Sequence, residues 1–360
     1  MTVQDTCSPQ GTLPLDLPPS TPPARRLPDV TVLHRDAFSG VATRKEVLRS
    51  KQALRDARHE ALAEARTQKT ATSERGSLNR KVQASLFEED RLEGLLQTQF
   101  LPQHSPNQLI SPRAFFVSPL FSVRSKTVER ARFTEFSITV NGAAALGYAG
   151  PELRQSDGLV FMALLNMARD VQVGMAVSFS VEEFCRAVFG RYDGPARKRL
   201  REHIQRLQSA LLKFDTFSVQ LCQRFDYPKS GPWTVALDRQ IVELFRQVPQ
   251  VWLELEPRLT LPEGIATWLY AFVESQSTLI PTKVDLLRDL CGSDATPRAF
   301  ENKLREALVH LTSHQVIDTG WSLKKGMLRW RKTFVQDAPA SNDALQASPA
   351  EPTPTALQAA

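Results

Sequence analysis

The chain has 360 residues, 42% of them hydrophobic, and a formal net charge of +6. That length accommodates two ordinary domains plus tails, and the positive balance favours a polyanionic partner. Four widely separated cysteines (Cys7, Cys185, Cys222, Cys291), with no C-x-x-C, argue against a disulfide framework or zinc site, and no apolar run reaches the roughly 18 residues of a membrane span. The N-terminus lacks a secretory pattern, so a cytoplasmic location and no membrane partner are expected.

Residues 1–30 are rich in Pro, Ser and Thr and are expected to stay unstructured. From 44 to 66, Arg, Lys, Glu, Ala and Leu alternate without Pro or Gly, which predicts a charged, exposed helix, marginal alone. A loose stretch with Pro102, Pro106, Pro112 and Pro119 is expected to run to about residue 130. Within it lies Gln83-Ala84-Ser85-Leu86-Phe87. As an extended segment, such a peptide sets the Gln83 amide on a polar rim and Leu86 and Phe87 in a pocket, with Ser85 between. The chain therefore divides into a disordered or helical region 1–130, two folded domains at 131–240 and 241–335, and a disordered tail at 336–360.

One pattern occurs twice in the folded part. The first copy opens with a helix from Ser156 to Asp170, followed by a strand at Val177–Phe179. A second helix starts at Ser180, with Glu183 completing a capping box, and ends at Gly190. Gly194-Pro195 opens a third, running to about Lys213. Thr216–Arg224, the turn at Asp226–Pro232 and Trp233–Leu237 then read as a β-hairpin. The second copy has helices from Pro262 to Ser275, Lys283 to Leu290 and Pro297 to about His314, the last capped by Thr296. Its hairpin is Val316–Leu323 and Met327–Thr333 around Lys324-Lys325-Gly326. Three helices followed by a hairpin is the order of a winged helix-turn-helix, so the expected class is α+β, with tandem winged-helix domains behind a largely disordered N-terminal tail.

The third helix of each copy is the candidate reader of DNA. In the first, Leu200, Ile204, Leu207 and Leu211 form a core stripe. Lys198, Arg201 and Gln205 share another face; Arg199 and Arg206 flank it, and Arg197 stands in the first turn. In the second, Phe300, Leu304, Leu308 and Leu311 form the stripe, and Arg298, Asn302 and Arg305 align on the exposed face. Arg and Lys suit guanine edges, and Gln and Asn suit adenine. Lys324, Lys325, Arg329 and Arg331 on the second hairpin suit phosphates. A single charged helix face is commonly just solvated; two in matching positions, each before a hairpin, favour DNA.

Enzymatic readings find little support. His310 and His314 have helical metal spacing but lack the H-E-x-x-H glutamate. His314 at a helix end is more simply a dipole partner. No P-loop occurs, and Tyr148, Tyr192, Tyr227 and Tyr270 lack the histidine pair of a nicking initiator. No catalytic residue, metal or cofactor is expected. A repressor of the same fold is the main alternative; a nuclease or relaxase is a distant third.

The run Glu152–Leu165, Phe184-Cys185 and the Arg197–Arg201 helix start after Pro195 resemble the TrfA family of plasmid replication initiators. The resemblance spans roughly 130–335. It implies a protein that binds direct repeats (iterons) in double-stranded origin DNA, melts adjacent AT-rich DNA and engages the resulting single strand. It further implies copy-number control through a monomer–dimer equilibrium, and as partners the host replicative helicase with its loader, the initiator DnaA and the sliding clamp. Gln83–Phe87 resemble the family's clamp-binding peptide, except that Ala84 stands where a leucine is usual.

Overall fold

The computed structural model describes residues 25–28, 30–32, 43–67, 72–140 and 144–333. The expected tail at 336–360, and most of the one at 1–30, lie outside the described residues. The chain begins with β1 (Val30–Val32), α1 (Arg44–Thr67) and α2 (Thr72–Gln99). α1 is the charged helix that the sequence predicts. It lies along α2 through a small cluster of Val47, Leu92, Leu96 and Phe100. Lys51 pairs with Glu93, and Arg55 and Arg58 both pair with Glu89. Such cross-helix contacts supply what a marginal isolated helix lacks.

α2 corrects the expectation of a loose stretch. Residues 81–99 contain no Pro and many good helix formers, so the helix continues through the Gln83–Phe87 peptide. The part after it follows as β2 (Gln108–Pro112), a 3-10 turn (Arg113–Phe115) and β3 (Phe121–Ser122). Next come β4 (Arg132–Val140), β5 (Ala144–Pro151), β6 (Leu153–Arg154) and α3 (Gln155–Met167). The first unit continues with β7 (Ala176–Phe179), α4 (Val181–Phe189), α5 (Gly194–Gln208), β8 (Leu211–Lys213), β9 (Ser218–Gln220), β10 (Arg224–Asp226) and β11 (Trp233–Ala236). α6 (Ile241–Gln247), β12 (Gln250–Glu254) and α7 (Leu255–Thr260) connect to the second unit. That unit holds α8 (Ile265–Glu274), β13 (Thr282–Lys283), α9 (Val284–Leu290), α10 (Pro297–Ser313), β14 (Ser322–Lys324) and β15 (Met327–Arg329).

The architecture mixes α and β, with almost all strand pairing antiparallel. β1, β7, β11 and β10 form one sheet in that order; β4, β5, β8 and β9 form another; β13, β15 and β14 form a third. β9 corrects the first expected hairpin. Residues 218–220 pair with β8, while β10 pairs with β11 across the Tyr227–Pro232 turn. Likewise Leu211 lies in β8, because α5 ends at Gln208.

Two apolar cores meet along α3. Phe161, Leu164 and Leu165 belong to the first, Met162 to the second, and half-buried Leu159 touches both. This helix is buried on nearly every side, and Gly158 makes room for a neighbour: a Cβ there would stand 2.9 Å from the Phe121 ring. Residues 101–123 correct the expected boundary at 131. Leu101, Ile110, Phe115 and Phe121 pack in the first core; Leu109, Phe116 and Val117 pack in the second. β2 pairs with β12, setting Leu109 opposite Leu253. The four prolines break regular structure there, but the apolar residues between them still gain by burial. β1 similarly extends the sheet at β7, with Val30 opposite Phe179.

Candidate nucleic-acid interface

α5 begins where the sequence places it. Asp193 caps it, accepting from the Ala196 N–H at 2.6 Å, and Pro195 stands in its first turn. Leu200, Ile204 and Leu207 point into the core. The opposite side meets the β10–β11 hairpin. The Arg197 guanidinium donates to the Pro228 and Lys229 carbonyls at 3.0 and 2.7 Å and lies 5.5 Å over the Trp233 ring. Arg201 lies 5.7 Å over Tyr227, and the Gln205 amide donates to the Tyr227 hydroxyl at 3.3 Å. Lys198 stands exposed, 4.0 Å from Glu202. These four side chains therefore form a basic and amide row held beside a hairpin.

Two flanking residues go elsewhere. Arg199 turns about 100° from Lys198, as successive helix positions must, and lies 5.4 Å over Phe189. Arg206 corrects the sequence reading: its Nε donates to Asp157 Oδ1 at 2.8 Å, and the side chain is only 18% exposed. Asp157 is fully buried and also takes His203 at 2.6 Å and Arg130 at 2.7 Å. Burial opposes its charge, but the hydrogen bond from His203 and the charges of His203, Arg206 and Arg130 prevail, holding its carboxyl far below the usual range. Arg206 thus joins the first unit together and is not free to contact DNA.

α10 repeats the arrangement. Thr296 caps it, accepting from the Ala299 N–H at 3.4 Å. Phe300, Leu304, Leu308 and Leu311 are buried, while Arg298 and Asn302 are exposed. Arg305 donates to Glu301 at 2.7 Å and to the Leu323 carbonyl at 3.2 Å, which ties the helix to its hairpin. The hairpin turns at Lys325-Gly326, both at positive φ (51° and 70°), a two-residue turn of the I′ kind. Lys324, Lys325, Arg329 and Arg331 are exposed on it, and Lys332 pairs with Glu274 at 3.4 Å.

Between the two units lies a cleft of about 1100 Å³. One wall carries Arg199 and His203 of α5, and Lys303 and His310 of α10 also face it. Its floor includes Gln155 at the start of α3 and Arg258 of α7. Asp157 has one short-range partner, the Arg154 N–H at 2.8 Å at the start of α3, but its ion-pair partners, and the Gln155 carbonyl that Arg258 reaches, are 27 or more positions away.

The Gln83–Phe87 peptide is not extended. Ser85 donates to the Val82 carbonyl one turn back at 2.9 Å. Leu86 and Phe87 are exposed on α2, Phe87 to 76%. Among the described residues, no group of three or more His, Cys, Asp or Glu side chains is placed to hold a metal, and no helix is long and apolar enough to cross a membrane. The three described cysteines, Cys185, Cys222 and Cys291, are free and buried.

A family model described as TrfA protein matches residues 96–327, more than half of the chain. The plasmid replication initiator protein TrfA of Escherichia coli is 26% identical over 223 residues, 57% of this chain and 56% of that protein. The chain thus spans about half the length of that curated relative. Among solved structures, domains 2 and 3 of RctB are similar in two crystal structures. These are 14% and 11% identical, cover 63% and 61% of this chain and 99% and 97% of theirs, and give TM-scores of 0.45 and 0.40.

Proposed function

The chain belongs to the TrfA family of plasmid replication initiators, and on that premise we propose that it binds iterons in double-stranded origin DNA through two winged-helix modules. α5 and α10 enter successive major grooves, and the β10–β11 and β14–β15 hairpins are the wings. Lys198, Arg201, Gln205, Arg298 and Asn302 read base edges. Arg197 and Arg305 fix each helix to its wing. Lys324, Lys325, Arg329 and Arg331 hold phosphates. The carrying observation is that both helices present a basic and amide row beside a hairpin to which an arginine ties them.

The protein carries out no covalent chemistry in this reading. Binding energy bends and opens neighbouring AT-rich DNA in the bacterial cytoplasm, exposing a single strand for the host helicase, its loader and DnaA. Two modules in one chain raise effective concentration on adjacent half-sites. The connection through α6, β12 and α7 packs into both cores and sets module orientation, and with it the balance of monomer and dimer. Gln83, Ser85, Leu86 and Phe87 dock on the sliding clamp after α2 locally unwinds, because groove-bound peptides of this kind are extended.

The test is a footprint on supercoiled DNA carrying the plasmid's own origin, with permanganate reporting unpaired thymines. Periodic protection over direct repeats beside reactive thymines is expected. Protection of one palindrome over a promoter, with no reactive thymines, would make the protein a repressor.

A further inference from the structure

The cleft between the two units contains an arginine that the rest of the fold does not explain. Arg258 is 3% exposed. Its Nη2 donates to the Gln155 backbone carbonyl at 3.0 Å and more weakly to the Gln155 side-chain oxygen at 3.5 Å, and its Nε has no acceptor. Other largely buried arginines nearby each hold a carboxylate: Arg154 with Glu152 at 2.9 Å, Arg130 and Arg206 with Asp157. Arg258 has no carboxylate within 4 Å among the described residues. An unpaired buried cation is costly to keep charged, and burial indeed lowers this guanidinium to about 10.

Three further features converge on the same space. His203 Nε2, on a residue 2% exposed, also has no partner among the described residues, and His203 lines the cleft. The first turn of α8, Gly264 to Thr267, lines it too, and a helix N-terminus favours anions. The lining residues include nine Lys or Arg against four Asp or Glu, and cations still outnumber carboxylates when Glu152 and Asp157, which pair with lining arginines from behind, are added. A volume of about 1100 Å³ is far more than a lone ion needs and is within reach of a nucleotide.

We propose that this cleft is a binding site for phosphate groups, with Arg258 as the buried anchor and Arg199 of α5 and Lys303 of α10 as lining cations, one from each unit. The phosphates come from a free nucleotide or from the DNA backbone; only the second source rests on the DNA-binding reading. Arg199 and Lys303 suit the role because neither has a carboxylate within 4 Å among the described residues.

The experiment uses the full chain and three probes: inorganic tripolyphosphate, ATP and an iteron duplex, followed by calorimetry and thermal melting. Saturable binding of tripolyphosphate or ATP is expected, weakened at least about tenfold in the Arg199→Gln/Lys303→Gln double variant, the scale of one lost hydrogen bond to a charged group. That double variant keeps its ligand-free melting midpoint, because both side chains are exposed and neither makes an ion pair among the described residues; the contact of Arg199 with the Phe189 ring is an exposed one. Arg258→Met melts no lower than the wild type without ligand and loses the ligand-induced rise, whereas a purely structural Arg258 would show the reverse. If neither small probe binds but the double variant weakens the duplex and flattens its salt dependence, the site holds backbone phosphate. If no probe distinguishes the double variant from the wild type, the proposal is overturned. An Arg201→Ala variant that still weakens the duplex would leave the DNA-binding reading standing in that case.

Discussion

The two helix-and-hairpin units share an order of elements but hold their helices differently. In the first, the hairpin carries aromatic rings that pack against α5: Trp233 under Arg197, and Tyr227 under Arg201 and hydrogen-bonded to Gln205. Behind the helix, a buried carboxylate joins α3 to α5. In the second, the turn is two residues long, Trp330 faces inward against Phe272, and the outer hairpin surface is cationic. The first unit therefore orients side chains, while the second presents charge. Oriented side chains suit base discrimination, and exposed cations suit salt-dependent affinity.

This contrast can be broken at several points. The largest effect is expected at Asp157, which has no counterpart in the second unit. Asp157→Asn leaves Arg130 and Arg206 without their buried partner and should destabilise the first unit by roughly 3–5 kcal/mol in chemical denaturation. Because the folded carboxyl titrates below its unfolded value, its contribution is present above the unfolded carboxylate range, near pH 4. It disappears as pH falls through the lower folded value, so wild type and Asp157→Asn should converge in acid. Next, the Lys324→Gln/Lys325→Gln/Arg329→Gln triple variant should lower the salt slope of duplex binding by about 0.9 per lost phosphate contact, on all sequences alike. Arg201→Ala should instead cost about 1–3 kcal/mol on the cognate repeat with little change in slope, narrowing the gap to scrambled duplex. Tyr227→Phe removes only the hydroxyl that holds Gln205 and should cost on the order of 0.5–1.5 kcal/mol on the cognate repeat. The smallest effect is on thiol chemistry. Burial pushes Cys185 up to about 11 and Cys222 and Cys291 up to about 12, so iodoacetamide should label none of them at neutral pH until the fold is denatured.

The legible parts of this fold are those encoded within a few residues. Asp193-Gly194-Pro195 and Thr296-Pro297 announce α5 and α10, Ser180 caps α4, and Lys325-Gly326 makes a tight turn, each by short-range chemistry. The core stripes at Leu200, Ile204, Leu207 and at Phe300, Leu304, Leu308 follow from helical period. Residues 101–123 escaped because their apolar groups have no period between prolines and their strand partner β12 lies about 140 positions on. The hairpin of the first unit departs from the sequence pattern for a related reason: Thr216–Arg224 reads as one strand, yet the chain divides it between two sheets. Arg206 reads as a surface cation in sequence because Asp157, its partner, is 49 residues away. The side chains of Gln83–Phe87 suit an extended docking peptide, whereas the backbone is set by the helix formers around it.

The claim on which the rest depends is that both units engage one repeat together. Hydroxyl-radical footprinting of the full chain on a duplex bearing a single iteron tests it directly. Two protected segments about 10 base pairs apart, one helical turn, with the first lost in Arg201→Ala and the second lost in the hairpin triple variant, is the predicted result. One protected segment, unaffected by one of the two variants, would contradict it.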